Sequence, residues 1–156
     1  MKKDIGKAIA HGEKAVELAP SNSLPYHVLG IALRQNGQYE EAISNHKKSI
    51  RLNPFCPIDY LNNLAWAYLA SQQYEKATST WNKALERNPD YFFAHLGLTA
   101  AHWLNGSEDE ARQSAKHVLR INPNFTVSYW EKRFASKDKA FNKQIYGAMR
   151  KAGLPE

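Results

Sequence analysis

Residues 57–91 read PIDYLNNLAWAYLASQQYEKATSTWNKALERNPDY. Leu61, Leu64, Ala65 and Tyr68 recur at the i, i+3, i+4, i+7 spacing of one helical face. A polar Gln72-Gln73 turn follows, and a second apolar stripe runs through Ala77, Trp81 and Leu85 to Asn88-Pro89. The second helix must stop there, because the residue before a proline is pushed out of the helical region. The stretch therefore reads as a helix pair. Working outward, prolines stand at 20, 54, 89 and 123, at intervals of 34, 35 and 34 residues, and the same signals lead into them.

Aligned on those prolines, the first helices repeat Tyr26, Leu29, Gly30, Leu33 before this stretch and His95, Leu98, Thr99, His102 after it. The second helices repeat Ala42 with His46 and Ala111 with Ala115, and carry the apolar Ile50, Leu85 and Leu119. The turns Gly37-Gln38-Tyr39-Glu40-Glu41 and Gly106-Ser107-Glu108-Asp109-Glu110 begin with glycine, a permissive residue for a helix end, and supply acids that suit the next helix dipole. The central turn has Gln72 where its neighbours have glycine.

This pattern resembles the tetratricopeptide repeat, whose consensus is W-x2-L-G-x2-Y, A-x3-F and P over 34 residues. The resemblance implies an all-α fold, an α-solenoid of helix-turn-helix repeats wound as a right-handed superhelix. Three full repeats are expected over 23–56, 57–91 and 92–125, a second helix alone over 2–22, and a C-terminal capping segment over 126–156. The Trp and Tyr slots hold Tyr26, Leu61, His95 and His102, and the Phe slot holds His46 and Ala115. At the start, Ile5, Ala8, Ile9, Gly12, Ala15, Val16 and Ala19 form a second-helix stripe with no first helix before it, so that edge is expected to belong to a longer chain or to self-associate. At the end, Lys132 and Arg133 interrupt the repeat, and Phe141, Ile145 and Met149 form the dry stripe of a last amphipathic helix.

The 156 residues are 43% apolar with 8 Gly and 7 Pro, which suits one ordered unit. No run approaches the roughly 18 apolar residues of a membrane span, no signal h-region follows Lys2 and Lys3, and Cys56 has no disulfide partner, so the expected location is the cytoplasm. The net charge of +6 is concentrated in residues 132–151, where seven Lys or Arg face Asp138 alone. The six histidines lack metal-site spacing, and neither a phosphate loop nor a nucleophile elbow is present. Asn105-Gly106-Ser107 and Asn124-Phe125-Thr126 match the glycosylation pattern without a secretory signal to use it. The expectation is a non-catalytic chain with no cofactor.

Stacked helix pairs curve, and their first helices line an inner groove suited to a protein or peptide ligand. By register the groove residues are His27, Ile31, Arg34, Asp59, Asn62, Asn63, Trp66, Phe93, Leu96 and Trp103. Trp66 and Trp103 are the expected anchors, because aromatic side chains dominate binding hot spots. The competing reading has either ring packed against the adjacent repeat. Some tetratricopeptide domains clamp the terminal carboxylate of chaperone tails with Lys and Asn. The corresponding positions here are His27, Ile31, Asn63, Phe93 and Gly97, of which Asn63 alone is kept, which argues against that mode. Phe134, Lys137-Asp138, Ala140 and Arg150-Lys151-Ala152-Gly153-Leu154-Pro155-Glu156 resemble the ending of repeat tracts behind bacterial class III adenylate and guanylate cyclases. That resemblance implies a C-terminal regulatory or scaffolding module of a signalling protein. The alternative is binding of nucleic acid or an anionic membrane by the basic tail, with Tyr129, Trp130, Phe134 and Tyr146 interleaved.

Overall fold

A computed structural model describes residues 4–134 and 136–156; Lys2 and Lys3, at the head of the expected half repeat, lie outside them. The described residues form α1 (Ile5–Leu18), α2 (Ser23–Gln35), α3 (Tyr39–Leu52), α4 (Ile58–Ala70), α5 (Tyr74–Arg87), α6 (Phe92–Leu104), α7 (Glu108–Ile121), α8 (Val127–Phe134) and α9 (Lys139–Lys151), with no strand among them. Consecutive helices from α1 to α7 pack as antiparallel neighbours, and the first helices α2, α4 and α6 also touch one another. This is the α-solenoid read from the period.

The local chemistry explains the helix ends. Ala19, Asn53, Asn88 and Asn122, each before a proline, leave helical geometry with ψ of 64°, 85°, 100° and 88°. Each then starts the same tight turn, its carbonyl accepting from the amide three residues on, at Asn22, Cys56, Tyr91 and Phe125. The second helices begin with acids, Glu40, Glu41, Glu75 and Glu108 to Glu110, and end with Arg51, Arg87 and Arg120, charges that oppose the helix dipole at both ends.

Inside each pair the turn is a Schellman motif. The amides of Gln38, Gln73 and Ser107 donate to the carbonyls of Leu33, Tyr68 and His102, closing α2, α4 and α6. The residue before each of these amides has positive φ: Gly37 at 86°, Gln72 at 62° and Gly106 at 82°. Gln72 thus holds a left-handed backbone that glycine adopts without penalty. Gln72→Gly is expected to raise stability by roughly 0.5 kcal/mol, the relief of left-handed strain partly offset by greater freedom of the unfolded chain, read as an upward shift of the urea midpoint.

The core follows the aligned positions. Ala42, Ala77 and Ala111 are fully buried where paired helices cross, and Leu29, Leu64 and Leu98 are buried in the first helices. Each such leucine contributes about 2 kcal/mol by leaving water. The slot that the repeat consensus gives to Phe holds His46, Trp81 and Ala115, all buried, so its volume differs widely from repeat to repeat. At the N-terminal edge only Gly12 of α1 is buried, and Leu18, Leu24 and Val28 are exposed.

The C-terminal helix departs from nearest-neighbour stacking. It packs against α8 and also reaches back to α6, passing over α7 in sequence. Ile145, Tyr146, Ala148 and Met149 on α9 join the same core as Leu96 and Ala100 of α6. Asp138 caps its start, accepting from the Phe141 amide at 2.9 Å and from the Tyr39 hydroxyl at 2.7 Å. Gln144 donates to the Tyr74 hydroxyl at 3.3 Å. The helix therefore runs across the inner side of the stack from the first repeat toward the third.

The ending that resembled the cyclase tracts is a structural lock. Gly153, at φ 102°, closes α9 with a further Schellman motif in which the Leu154 amide donates to Met149, and Leu154 is buried. The Val127 amide donates to the Pro155 carbonyl at 2.8 Å. Arg150 donates to Glu131 at 2.8 Å and to Glu156 at 2.5 Å, tying α9, α8 and the terminus together.

Candidate protein-binding cleft

The inner helices and the returning C-terminal segment enclose a cleft of about 1230 Å³. Arg34 and Gln35 at the end of α2, Asn62, Asn63 and Trp66 on α4, and Phe93 on α6 form one side. The other side comes from Trp130, Arg133 and Phe134 on α8, Ser136 and Lys137 in the link, and Phe141, Asn142, Ile145 and Tyr146 on α9, with Asp4 and Ile5 at the start of α1.

Of the ten residues expected in the groove, Arg34, Asn62, Asn63, Trp66 and Phe93 line this cleft, and the others do not. Leu96 is a correction: it is fully buried, because α9 packs on α6. His27 is a second correction, buried and stacked on Tyr60 with ring centroids 3.7 Å apart. Asp59 is exposed but accepts a hydrogen bond from the Tyr91 hydroxyl. Ile31 is half-buried outside the cleft lining. Trp103 is half-buried on another face, where the Arg112 guanidinium lies 5.3 Å from its ring. The two tryptophans, both assigned to the groove by register, thus separate.

The aromatic wall is prebuilt. Trp66 meets Trp81 edge to face, with centroids 5.2 Å apart and planes at 84°. Trp130 is surrounded by Phe92, Phe93, Phe125 and Phe134 at 4.2 to 5.9 Å. Such packing removes side-chain freedom before any ligand arrives, so less entropy is lost on binding. Two amides are oriented as well. Asn62 accepts from the Trp81 indole N–H through Oδ1 at 3.0 Å, which leaves its Nδ2 as a donor. Asn63 donates Nδ2 to the Asp59 carbonyl at 2.9 Å, which leaves Oδ1 as an acceptor. The remaining donor of Asn62 and the remaining acceptor of Asn63, both in the cleft lining, can serve the two groups of a peptide backbone.

Charge in the cleft is mainly positive: Arg34, Arg133 and Lys137 against Asp4. Asp4 is already engaged, capping α1 at the Lys7 amide and pairing with the Lys7 ammonium at 3.5 Å. Arg34 is half-buried, and its Nε is buried with no hydrogen-bond partner among the described residues. Burial pulls its pKa below the usual guanidinium range, while Tyr39 and Tyr146 nearby oppose that shift. The Tyr146 hydroxyl is pushed up to about 12, chiefly by burial and then by Glu131. Burial and its hydrogen bond to Asp138 raise Tyr39 as well.

The residues contributed by α8, the link and α9 were not read from the sequence as groove residues. The signal was present in the apolar stripe Phe141, Ile145, Met149, but a stripe shows that a face is buried without showing against what. No group of three or more metal-ligating side chains occurs among the described residues, and no helix there is long and apolar enough to cross a membrane.

Two family models, both described as tetratricopeptide repeat, match residues 21–90 and 62–124. Among curated proteins, the photosystem I assembly protein Ycf3 of Synechococcus sp. (strain WH7803) is 28% identical over 129 residues, covering 69% of this chain and 75% of that protein. Its counterpart in Prochlorococcus marinus is 38% identical over 95 residues, covering 55% of each, so the match spans about half that relative's length. Among solved structures, MamA aligns over 97% of this chain and 88% of its own at a TM-score of 0.73 and 22% identity. The first repeat domain of Spaghetti, bound to the HSP90 peptide SRMEEVD, aligns over 84% and 90% at a TM-score of 0.65 and 23% identity. At these identities the structural likeness is one of fold.

Proposed function

From this chain's membership of the tetratricopeptide-repeat proteins over residues 21–124, we infer that it works as a non-catalytic interaction module that captures a peptide segment of a partner protein in the cleft between its inner helices and α8–α9. The observation that carries this reading is the cleft itself, roomy enough for several side chains, walled by pre-packed rings and furnished with an oriented amide pair. Its relatives support it: an assembly protein in one case, a domain holding a peptide in another.

Trp66 and Trp103 provide the test. In a pull-down with the intact chain as bait, Trp66→Ala is expected to lower partner capture at least tenfold, the effect of removing a central aromatic anchor. Trp103→Ala is expected to leave capture unchanged, with circular dichroism confirming that both variants remain helical. Equal loss from both, or from neither, overturns the assignment of the cleft.

A finer proposal is that the module is the C-terminal regulatory part of a larger bacterial signalling protein such as an adenylate cyclase. It is supported by the likeness of residues 134–156 to the ending of such tracts. The coding sequence upstream of Met1 decides it, and a frame with no cyclase-type domain counts against it.

A further inference from the structure

Arg34 poses an electrostatic problem that the chain does not solve internally. A guanidinium that is partly withdrawn from water, with a buried and unpartnered Nε, is costly unless an anion meets it. The carboxylates beside its flanking tyrosines, Asp138 and Glu131, and the one in the cleft lining, Asp4, are engaged elsewhere. Asp138 accepts from the Tyr39 hydroxyl and the Phe141 amide, Glu131 and Glu156 hold Arg150, and Asp4 holds Lys7. The flanking phenols of Tyr39 and Tyr146 stay protonated and supply no negative charge. Arg133, from a helix about a hundred residues further along, and Lys137 line the same cleft, and neither forms an ion pair among the described residues.

Resting on the reading of the cleft as a peptide groove, we propose that Arg34, with Arg133 and Lys137, forms a carboxylate subsite that receives an aspartate or glutamate side chain of the captured segment. The neighbouring residue of that segment is apolar and seats against Trp66, Phe93 and Trp130. The guanidinium supplies a forked set of donors that fits a carboxylate with both oxygens engaged. Asn62 and Asn63 hold the peptide backbone between the two pockets.

A peptide fits these observations better than a nucleic acid. Single-stranded nucleic acid needs ring faces open for stacking and a track of cations along its backbone. The cleft lining instead holds three cations, Arg34, Arg133 and Lys137, together with the carboxylate of Asp4, a short and interrupted track for a polyphosphate backbone. A peptide group uses both the donor of Asn62 and the acceptor of Asn63, whereas a phosphate, which carries acceptors alone, uses only the first.

The experiment applies the whole chain to a positional-scanning library of decapeptides with amidated C-termini, so that any acidic selection belongs to a side chain. A ten-nucleotide single-stranded RNA forms a separate arm. Wild type is expected to select Asp or Glu at one position beside a position selecting Leu or an aromatic residue. Arg34→Gln should lower the acidic selection about tenfold while the apolar selection persists, the scale of one lost charge-assisted hydrogen bond. The double substitution Arg133→Gln with Lys137→Gln, on exposed residues, should weaken the acidic selection in the same direction, and it carries the test if Arg34→Gln does not fold. Apolar selection without acidic preference in wild type overturns the subsite and leaves the groove standing, as does acidic preference unmoved by both substitutions. Capture of no peptide overturns the groove reading and the subsite with it. RNA bound more tightly than every peptide pool overturns the choice of partner class.

Discussion

Alanine at position 97 is expected to cost about 3 kcal/mol of stability and to lower the melting temperature by about 10 °C. A Cβ added to Gly97 would lie 2.1 Å from Cζ2 of Trp81, 2.4 Å from Cε2 and 2.5 Å from Cη2. The indole has nowhere to go. It is fully buried, its N–H is held by Asn62, and its edge meets Trp66. Trp81 fills the slot that holds His46 in the repeat before and Ala115 in the repeat after, so the extra volume of this ring is admitted by the missing side chain at Gly97. The two positions are therefore coupled. In the Gly97→Ala background, Trp81→Phe should recover part of the loss, whereas alone it should destabilise, a non-additivity that urea melts of the four variants would resolve. Because Trp66 rests on Trp81, Gly97→Ala should also weaken capture in the cleft. A melting temperature within about 2 °C of wild type would show that the packing relaxes around the methyl and would refute the coupling.

The second large effect concerns His46, and it appears as a pH dependence. The ring is fully buried in the Phe slot against Gly30, and neither nitrogen has a hydrogen-bond partner among the described residues. Burial, and then the nearby His27 and Arg34, push its pKa down to about 3 from the ordinary 6.5. Below pH 6.5 the unfolded chain takes up a proton that the folded chain refuses. Stability is thus complete above that pH and falls progressively until about pH 3. Between pH 6.5 and 5 the loss amounts to about 2 kcal/mol from this residue. His27, His95 and His102 are also held below the usual histidine range by burial and add to the loss over the same window. His46→Phe removes both the unpaired nitrogens and the proton. It is expected to raise stability by about 1 kcal/mol at pH 7 and by about 3 kcal/mol at pH 5. Urea midpoints of the two proteins at both pH values check this. An unchanged gap between them would mean that His46 is protonated in the folded state.

The histidine illustrates how far a repeat can be read. Alignment placed His46 in an aromatic packing slot, and the structure finds it there. Its missing partners were invisible, because they depend on which atoms of α2 and α4 come near the ring. Gln72 was likewise legible as the turn lacking glycine, and its positive φ follows from the motif that Gly37 and Gly106 adopt in the sister turns. Arg34 and Trp66 were picked by register. Register assigned Trp103 to the groove as well, at the position of Arg34 and Leu69, and the structure places Trp66 in the cleft but Trp103 under Arg112 on another face.

Helix pairing in this protein is local. Prolines, turn residues and apolar stripes act within one period, so the sequence by itself determined the hairpins, their order and the identity of their buried faces. The placement of α9 is not local. Its apolar stripe would be satisfied equally by the end of the stack or by the inner face, and contacts far apart in the chain, Asp138 with Tyr39 and Gln144 with Tyr74, decide between them. That choice buries Leu96, encloses the cleft and brings Arg133 and Lys137 to the cleft that Arg34 lines. It belongs to the tertiary structure alone, because a hydrophobic face is non-directional and states only that it must leave water.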